Sequence, residues 1–121
     1  MDRALTMADG CVFCDIIARK IVTPFLYEDD DVVAFADIRP IAPDHILVVP
    51  REHHATLTDA VNDGGEALLG RLLKVAGDLG AARGPEGGYR VVINNGAAAG
   101  QTVYHLHVHV VSGRHFAWPP G

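Results

Sequence analysis

Apolar positions along the chain keep two rhythms, and each marks a different kind of element. Between residues 66 and 82, Leu68, Leu69, Leu72, Leu73, Ala76 and Leu79 recur at helical spacing, which predicts an amphipathic helix lying on a sheet. Gly84, Gly87 and Gly88 end it. Elsewhere the apolar runs are short and bounded by turn residues, as strands are. Residues 25–28 and 32–37 bracket an acidic tip, Asp29 to Asp31, that reads as a hairpin turn. Pro40 and Pro43 force an extended loop, because each restricts itself and its predecessor. Residues 45–49 form a continuous apolar run stopped by Pro50, a central strand. Residues 89–94 and 104–111, joined by the Gly- and Ala-rich loop 95–100, supply the last two strands. Near the start, Ile16, Ile17 and Lys20 are spaced for one turn of a short helix over 14–20. About five strands, mostly linked by short turns, with one long and one short helix, predict an α+β fold with an antiparallel sheet.

The chain has 121 residues, the size of one domain, with a loose arm expected over 1–10 and the domain over 11–121. Its formal charge of −5 argues against nucleic acid as the main partner, since phosphate neutralisation calls for a basic face. A small anionic ligand stays compatible, because a few local donors overcome a weak net field. No apolar stretch reaches the roughly 20 residues of a membrane span, and the first ten residues lack a signal-peptide core. Two cysteines, Cys11 and Cys14, are too few for a disulfide scaffold, so a reducing cytoplasm is expected.

The chemistry concentrates in one stretch, His105-Leu106-His107-Val108-His109-Val110-Val111. In a strand these three imidazoles share one face at steps of about 6.6–6.8 Å. Tyr104, Leu106, Val108 and Val110 then take the core-facing side. One histidine in a strand is most often a packing residue. Three in strict alternation point to catalysis or to a metal, since imidazole serves as nucleophile, acid, base and ligand near neutral pH. Just upstream, Gly100, Gln101 and Thr102 combine backbone freedom with polar donors, a weak signal for a phosphate cradle.

These residues carry a family resemblance. Gln101-Thr102-Val103-Tyr104 followed by the alternating histidines resembles the histidine triad (HIT) motif, and Trp118-Pro119-Pro120-Gly121 is similar to the C-terminus of its Hint branch, the histidine triad nucleotide-binding proteins. Further matching pieces are Phe35-Ala36-Asp37-Ile38, Asn94-Asn95-Gly96 and the segment from Ala42 to Pro50, so the likeness runs from about Cys11 to Gly121. The resemblance implies a HIT-like homodimer whose sheet continues across both protomers. It also implies hydrolysis of purine nucleoside phosphoramidates to a nucleoside monophosphate. His107 would attack the α-phosphorus, His109 would hydrogen-bond the phosphate or leaving group and help deliver a proton, and His45 would support them. Asp37 would take the ribose hydroxyls, and Val12, Phe13, Ile16, Phe35 and Ile38 would wall the base. Asn94, Gln101 and Thr102, with Gly100 beside them, would hold the phosphate, and Trp118 would reach the partner's site. Dinucleoside polyphosphate hydrolysis, and nucleotide binding without turnover, are the rival readings.

In some family members a Cys-x-x-Cys pair binds zinc, and by that likeness the ligands here are Cys11, Cys14, His53 and His105. A Cys₂His₂ set fills tetrahedral zinc and leaves no open position, so the site would be structural. His54 competes with its neighbour His53 for the third place, and a redox pair of thiols is the other alternative. Thr102 stands where serine is commoner, and Arg39 and Ile41 flank the loop after Asp37, where they would tune the leaving group accepted.

Overall fold

A computed structural model describes residues 10–84 and 86–121. The arm expected over 1–10 lies outside the described residues but for Gly10.

The chain runs α1 (Val12–Ile17), β1 (Tyr27–Glu28), β2 (Val32–Ala36), β3 (Asp44–Pro50), α2 (Leu57–Asn62), α3 (Glu66–Arg83), β4 (Tyr89–Val92) and β5 (Val108–Ser112). The five strands form one sheet in the order β1-β2-β3-β5-β4, every neighbouring pair antiparallel. This is the α+β fold expected from the strand and helix rhythms.

Local chemistry sets the element ends. Helix α1 starts two residues earlier than its apolar spacing suggested, because the Cys11 sulfur caps it by accepting from the Cys14 N–H at 3.3 Å. It stops at Ile17, and Arg19 turns the chain away with a left-handed φ of 63°. At the β1–β2 tip, Asp29 Oδ1 accepts from the N–H groups of both Asp31 and Val32 at 2.8 Å, which fixes the turn. Helix α2 was not anticipated, although Thr56-Leu57-Thr58-Asp59 carries its signal: the Thr56 side chain accepts from the Asp59 N–H at the N-terminus. In α3, Leu72, Val75 and Ala76 are buried, whereas Leu73 turns to solvent, so the buried stripe is narrower than the leucine pattern alone implied.

Strand β5 is shorter than expected. It begins at Val108, and residues 104–107 approach it without joining the ladder. Continuing the register would place Leu106 opposite Pro50. Pro50 has no N–H to give, and its carbonyl is taken by the His105 ring at 2.8 Å. The Leu106 N–H goes instead to the His54 carbonyl at 2.7 Å. His105 and His107 are therefore on an extended lead-in and only His109 is in the strand.

The sheet separates two apolar clusters. Val32, Ala34, Ile46, Val48, Val108 and Val110 face α3 together with Leu72, Val75, Ala76 and Leu106. Val33, Phe35, Leu47 and Val49 face the other way and meet Phe13, Ile16 and Ile17 of α1. The even-odd parity of the triad segment survives outside the ladder. Leu106, Val108 and Val110 are buried on the α3 side, but Tyr104, expected beside them, is 46% exposed because the chain bends there. Among the described residues no helix is long and apolar enough to cross a membrane.

Candidate active site

A cavity of about 300 Å³ opens on the α1 side of the sheet. Its apolar wall includes Val12, Phe13, Ile16, Phe35 and Leu47. Asp37, Ile38, Arg39, Thr102, His107 and His109 also line it, and Thr23 and Val103 contribute from flanking segments. Strand pairing explains the juxtaposition. Phe35 faces Leu47 and Leu47 faces His109, so one row across β2, β3 and β5 carries a wall residue, a floor residue and an imidazole. His45 lies two residues along β3 on the same face and reaches His109 diagonally.

Hydrogen-bond partners assign the protons of the imidazoles. His107 Nδ1 lies 2.8 Å from the His105 carbonyl, which only accepts, so Nδ1 carries the proton and Nε2 keeps its lone pair. The Ile41 N–H points at His45 Nδ1 from 3.2 Å, so that nitrogen accepts and His45 Nε2 is protonated. His45 Nε2 donates to His109 Nδ1 at 2.9 Å, which leaves the proton of His109 on Nε2. The site thus holds one imidazole with an available lone pair, His107, and one with an available N–H, His109. That pairing offers a displacement both a nucleophile and a hydrogen-bond donor.

Burial keeps these rings neutral. It pushes His109 down to about 4, helped by the neighbouring His107 and His45. It lowers His107 too, against the opposing pull of the His105 carbonyl and the Asp37 carboxylate. Burial also lowers His45, partly offset by Asp37, whose Oδ2 is 3.4 Å from His45 Nε2. Phe13 stands edge-on to His107 with centroids 5.1 Å apart, restricting its ring.

Asp37, His45 and His109 bring three potential metal donors together. The tautomers argue against a cation there. With the Ile41 N–H on Nδ1, His45 Nε2 must carry the proton and has no lone pair for a metal. The cluster is a hydrogen-bond relay.

A second group, Cys11, Cys14, His53 and His105, lies beside the cavity. His105 Nδ1 is 3.4 Å from Cys11 Sγ, 3.5 Å from Cys14 Sγ and 3.1 Å from His53 Nδ1, and Cys14 Sγ is 3.4 Å from His53 Nδ1. Bond lengths of about 2.3 Å to sulfur and about 2.05 Å to nitrogen give tetrahedral edges of about 3.6 Å for S···N and about 3.3 Å for N···N, so the donors fit zinc. His105 Nε2–H on the Pro50 carbonyl turns the Nδ1 lone pair inward, and burial pushes that ring down to about 4, the neutral form a ligand needs. His54 is excluded from this group: its ring lies between Glu52 at 2.8 Å and Asp63 at 3.2 Å.

Other residues expected at the site stand apart from the cavity. Gln101 is 4% exposed, and its amide is used within the loop: Oε1 accepts from the Gly96 N–H, and Nε2 donates to the Ala55 and Val103 carbonyls. It shapes the loop that presents Thr102. Gly100, with φ +97°, ends the turn Ala97–Ala99, and Asn94 lies next to it. Trp118 is 82% exposed and does not line its own chain's cavity. Leu47, Val103 and Thr23 were not anticipated. The period-two pattern of β3 places Leu47 on the face of His45, whereas nothing in the local sequence marks Thr23.

Residues 18–116 match the HIT domain family. The chain is 49% identical to an uncharacterized HIT-like protein of Synechococcus elongatus over 115 residues, 95% of this chain and all of that one. Among solved structures, a HIT family hydrolase from Legionella pneumophila superposes with a TM-score of 0.87 at 45% identity, covering 93% of this chain and all of that chain. A zinc-bound histidine triad family protein from Mycobacterium smegmatis superposes with a TM-score of 0.78 at 34% identity, covering 93% and 80% of the two chains.

Proposed function

The chain belongs to the HIT domain family, and from that premise we propose that it is a purine nucleoside phosphoramidase working through a nucleotidyl-histidine at His107. The observation that carries the reading is the pair of available atoms in the cavity: a lone pair on His107 Nε2 and a proton on His109 Nε2. In the first step His107 Nε2 bonds to the α-phosphorus as the P–N bond to the amine breaks; His109 Nε2–H hydrogen-bonds the departing nitrogen, and water supplies the proton with which the amine leaves. Water then attacks phosphorus, its oxygen displaces His107 and its proton passes to solvent, which releases the monophosphate. Splitting one displacement into two lowers each barrier. The apolar wall of Val12, Phe13, Ile16 and Phe35 suits a purine, Asp37 the ribose hydroxyls and Thr102 a phosphate oxygen.

Zinc on Cys11, Cys14, His53 and His105 would tie the N-terminus of α1 to the triad segment, and a reducing cytoplasm keeps those thiols available. A homodimer is part of the same reading. Edge strand β4 has one side unpaired and leaves Tyr89 and Val91 partly exposed, a surface that suits a second copy.

Incubation with adenosine phosphoramidate labelled at phosphorus tests the chemistry. The expected result is acid-labile label on His107 and its absence in His107→Ala. A protein that binds the nucleotide but never acquires label is a binder, and faster turnover of a diadenosine polyphosphate would move the substrate class.

A further inference from the structure

We propose that Arg114 is a positioning residue for His109, acting through the exposed loop that precedes β3. The inference rests on the reading of His109 as hydrogen-bond donor to the leaving group and goes beyond the residues of the cavity. His109 presents its Nε2 proton only while its Nδ1 accepts from His45, and His45 donates only while the Ile41 N–H occupies its other nitrogen. An imidazole pair of this kind has two arrangements. If the His45 proton moves to Nδ1, His45 Nε2 becomes an acceptor, His109 turns to protonated Nδ1, and the proton facing the cavity is lost. Asp37 Oδ2, 3.4 Å from His45 Nε2, favours the first arrangement but does not impose it alone.

The Ile41 N–H sits on a loop with little burial of its own: Ile38 is 92% exposed and Ile41 62%. Asp37 braces the loop's start, accepting from the Arg39 N–H, and the turn after β5 holds the part that carries Ile41. Arg114 Nε donates to the Ile41 carbonyl at 2.9 Å. Gly113, at φ +95°, lies so close to the loop that an added Cβ would stand 2.8 Å from Pro43 Cβ. Arg114 is itself fixed, since Nη1 donates to the His115 carbonyl and the guanidinium covers Phe116 at 4.3 Å. Hydrogen bonds joined through the backbone of Ile41 therefore link Arg114 to His45 and His109, while Arg114 lines no part of the cavity.

The test uses ¹⁵N-histidine-labelled protein, in which long-range ¹H–¹⁵N spectra read the protonated nitrogen of each ring. In the parent, His45 and His109 should each show one tautomer, protonated at Nε2. Arg114→Ala should keep the fold and show mixed tautomers at both rings. Its kcat should fall about tenfold with KM within about threefold, the signature of an interaction used only in the transition state. Arg114→Lys, whose ammonium can also donate to the Ile41 carbonyl, should restore most of both signals. Single Nε2 tautomers in a folded Arg114→Ala protein would overturn the proposal, as would a folded Lys variant that restores nothing. Should Arg114→Ala fail to fold, Gly113→Ala, which displaces the turn with Arg114 intact, must show the same mixing, and unchanged spectra there would overturn it equally. The spectra need no substrate. If the tautomers respond but the parent cleaves no phosphoramidate, the positioning inference stands and the proposed reaction fails.

Discussion

His107 gives its Nδ1 proton to the backbone carbonyl of His105, 2.8 Å away, so the residue whose ring enters the Cys₂His₂ group also aims the residue that faces the cavity. The peptide between His105 and Leu106 is held on its other side as well, by the carbonyl of His54, next to the ligand-competent His53. The Cys₂His₂ group and the proposed nucleophile therefore share one peptide plane.

Metal content follows from that arrangement. The purified protein should carry about one zinc per chain, with tetrahedral S₂N₂ absorption after cobalt exchange. His53→Ala should lose it and His54→Ala should keep it. At a free zinc concentration near 100 times Kd the metal contributes about 2.7 kcal/mol, so strong chelation should lower Tm by several degrees. Equal metal loss from both variants would remove His53 from the set.

Acid should weaken the fold. His109 in the folded protein titrates at about 4, against an ordinary value of 6.5. Between those two pH values the unfolded chain binds more protons, so stability is full above about 6.5 and declines as pH falls toward about 4. Turnover of the folded protein should hold through most of that window and fall only as pH nears about 4, where protonating the relay removes the acceptor on His109 Nδ1. Urea midpoints at pH 7 and pH 5 check the sign, and a higher midpoint at pH 5 would contradict it.

Leu106→Ala should cost about 2–5 kcal/mol, the range for a buried leucine truncated to alanine. Leu106 is 1% exposed, packed on the α3 side between two histidines that point the other way. Activity under conditions where the variant stays folded should also fall, because the cavity it leaves lets His105 and His107 shift. Full activity in the folded variant would mean the segment is held by its hydrogen bonds alone.

Gln101→Ala should act through the loop. It leaves the Gly96 N–H and the Ala55 and Val103 carbonyls without their partner, at about 1–3 kcal/mol for each group that water cannot reach. KM should rise because Thr102 and Val103 line the cavity. A variant with parental stability and a raised KM would instead favour direct contact between Gln101 and the phosphate.

Much of this was legible in the sequence because short-range pattern and long-range placement agree. Alternation set the parity of Leu106, Val108 and Val110 against the histidines, and that parity holds even where the ladder has ended. Local rhythm does not tell where a ladder stops. That was decided by Pro50 and by competition for its carbonyl, a contact between residues 55 positions apart. The relay to His109 was equally hidden, since it depends on the backbone N–H of Ile41, a group that every residue but proline possesses. Gln101 was read as a phosphate donor because its amide is polar, but an amide can equally close its own loop.

The sheet works as a party wall between two tenants. Its α3 side carries most of the long helix's packing, and its α1 side furnishes the cavity. Substitutions at Val12, Ile16 or Phe35 that reshape the chamber should leave the α3 side's contribution nearly unchanged, since effects across such a barrier tend to add. A lineage built on this plan can redecorate for new substrates without renegotiating the foundations.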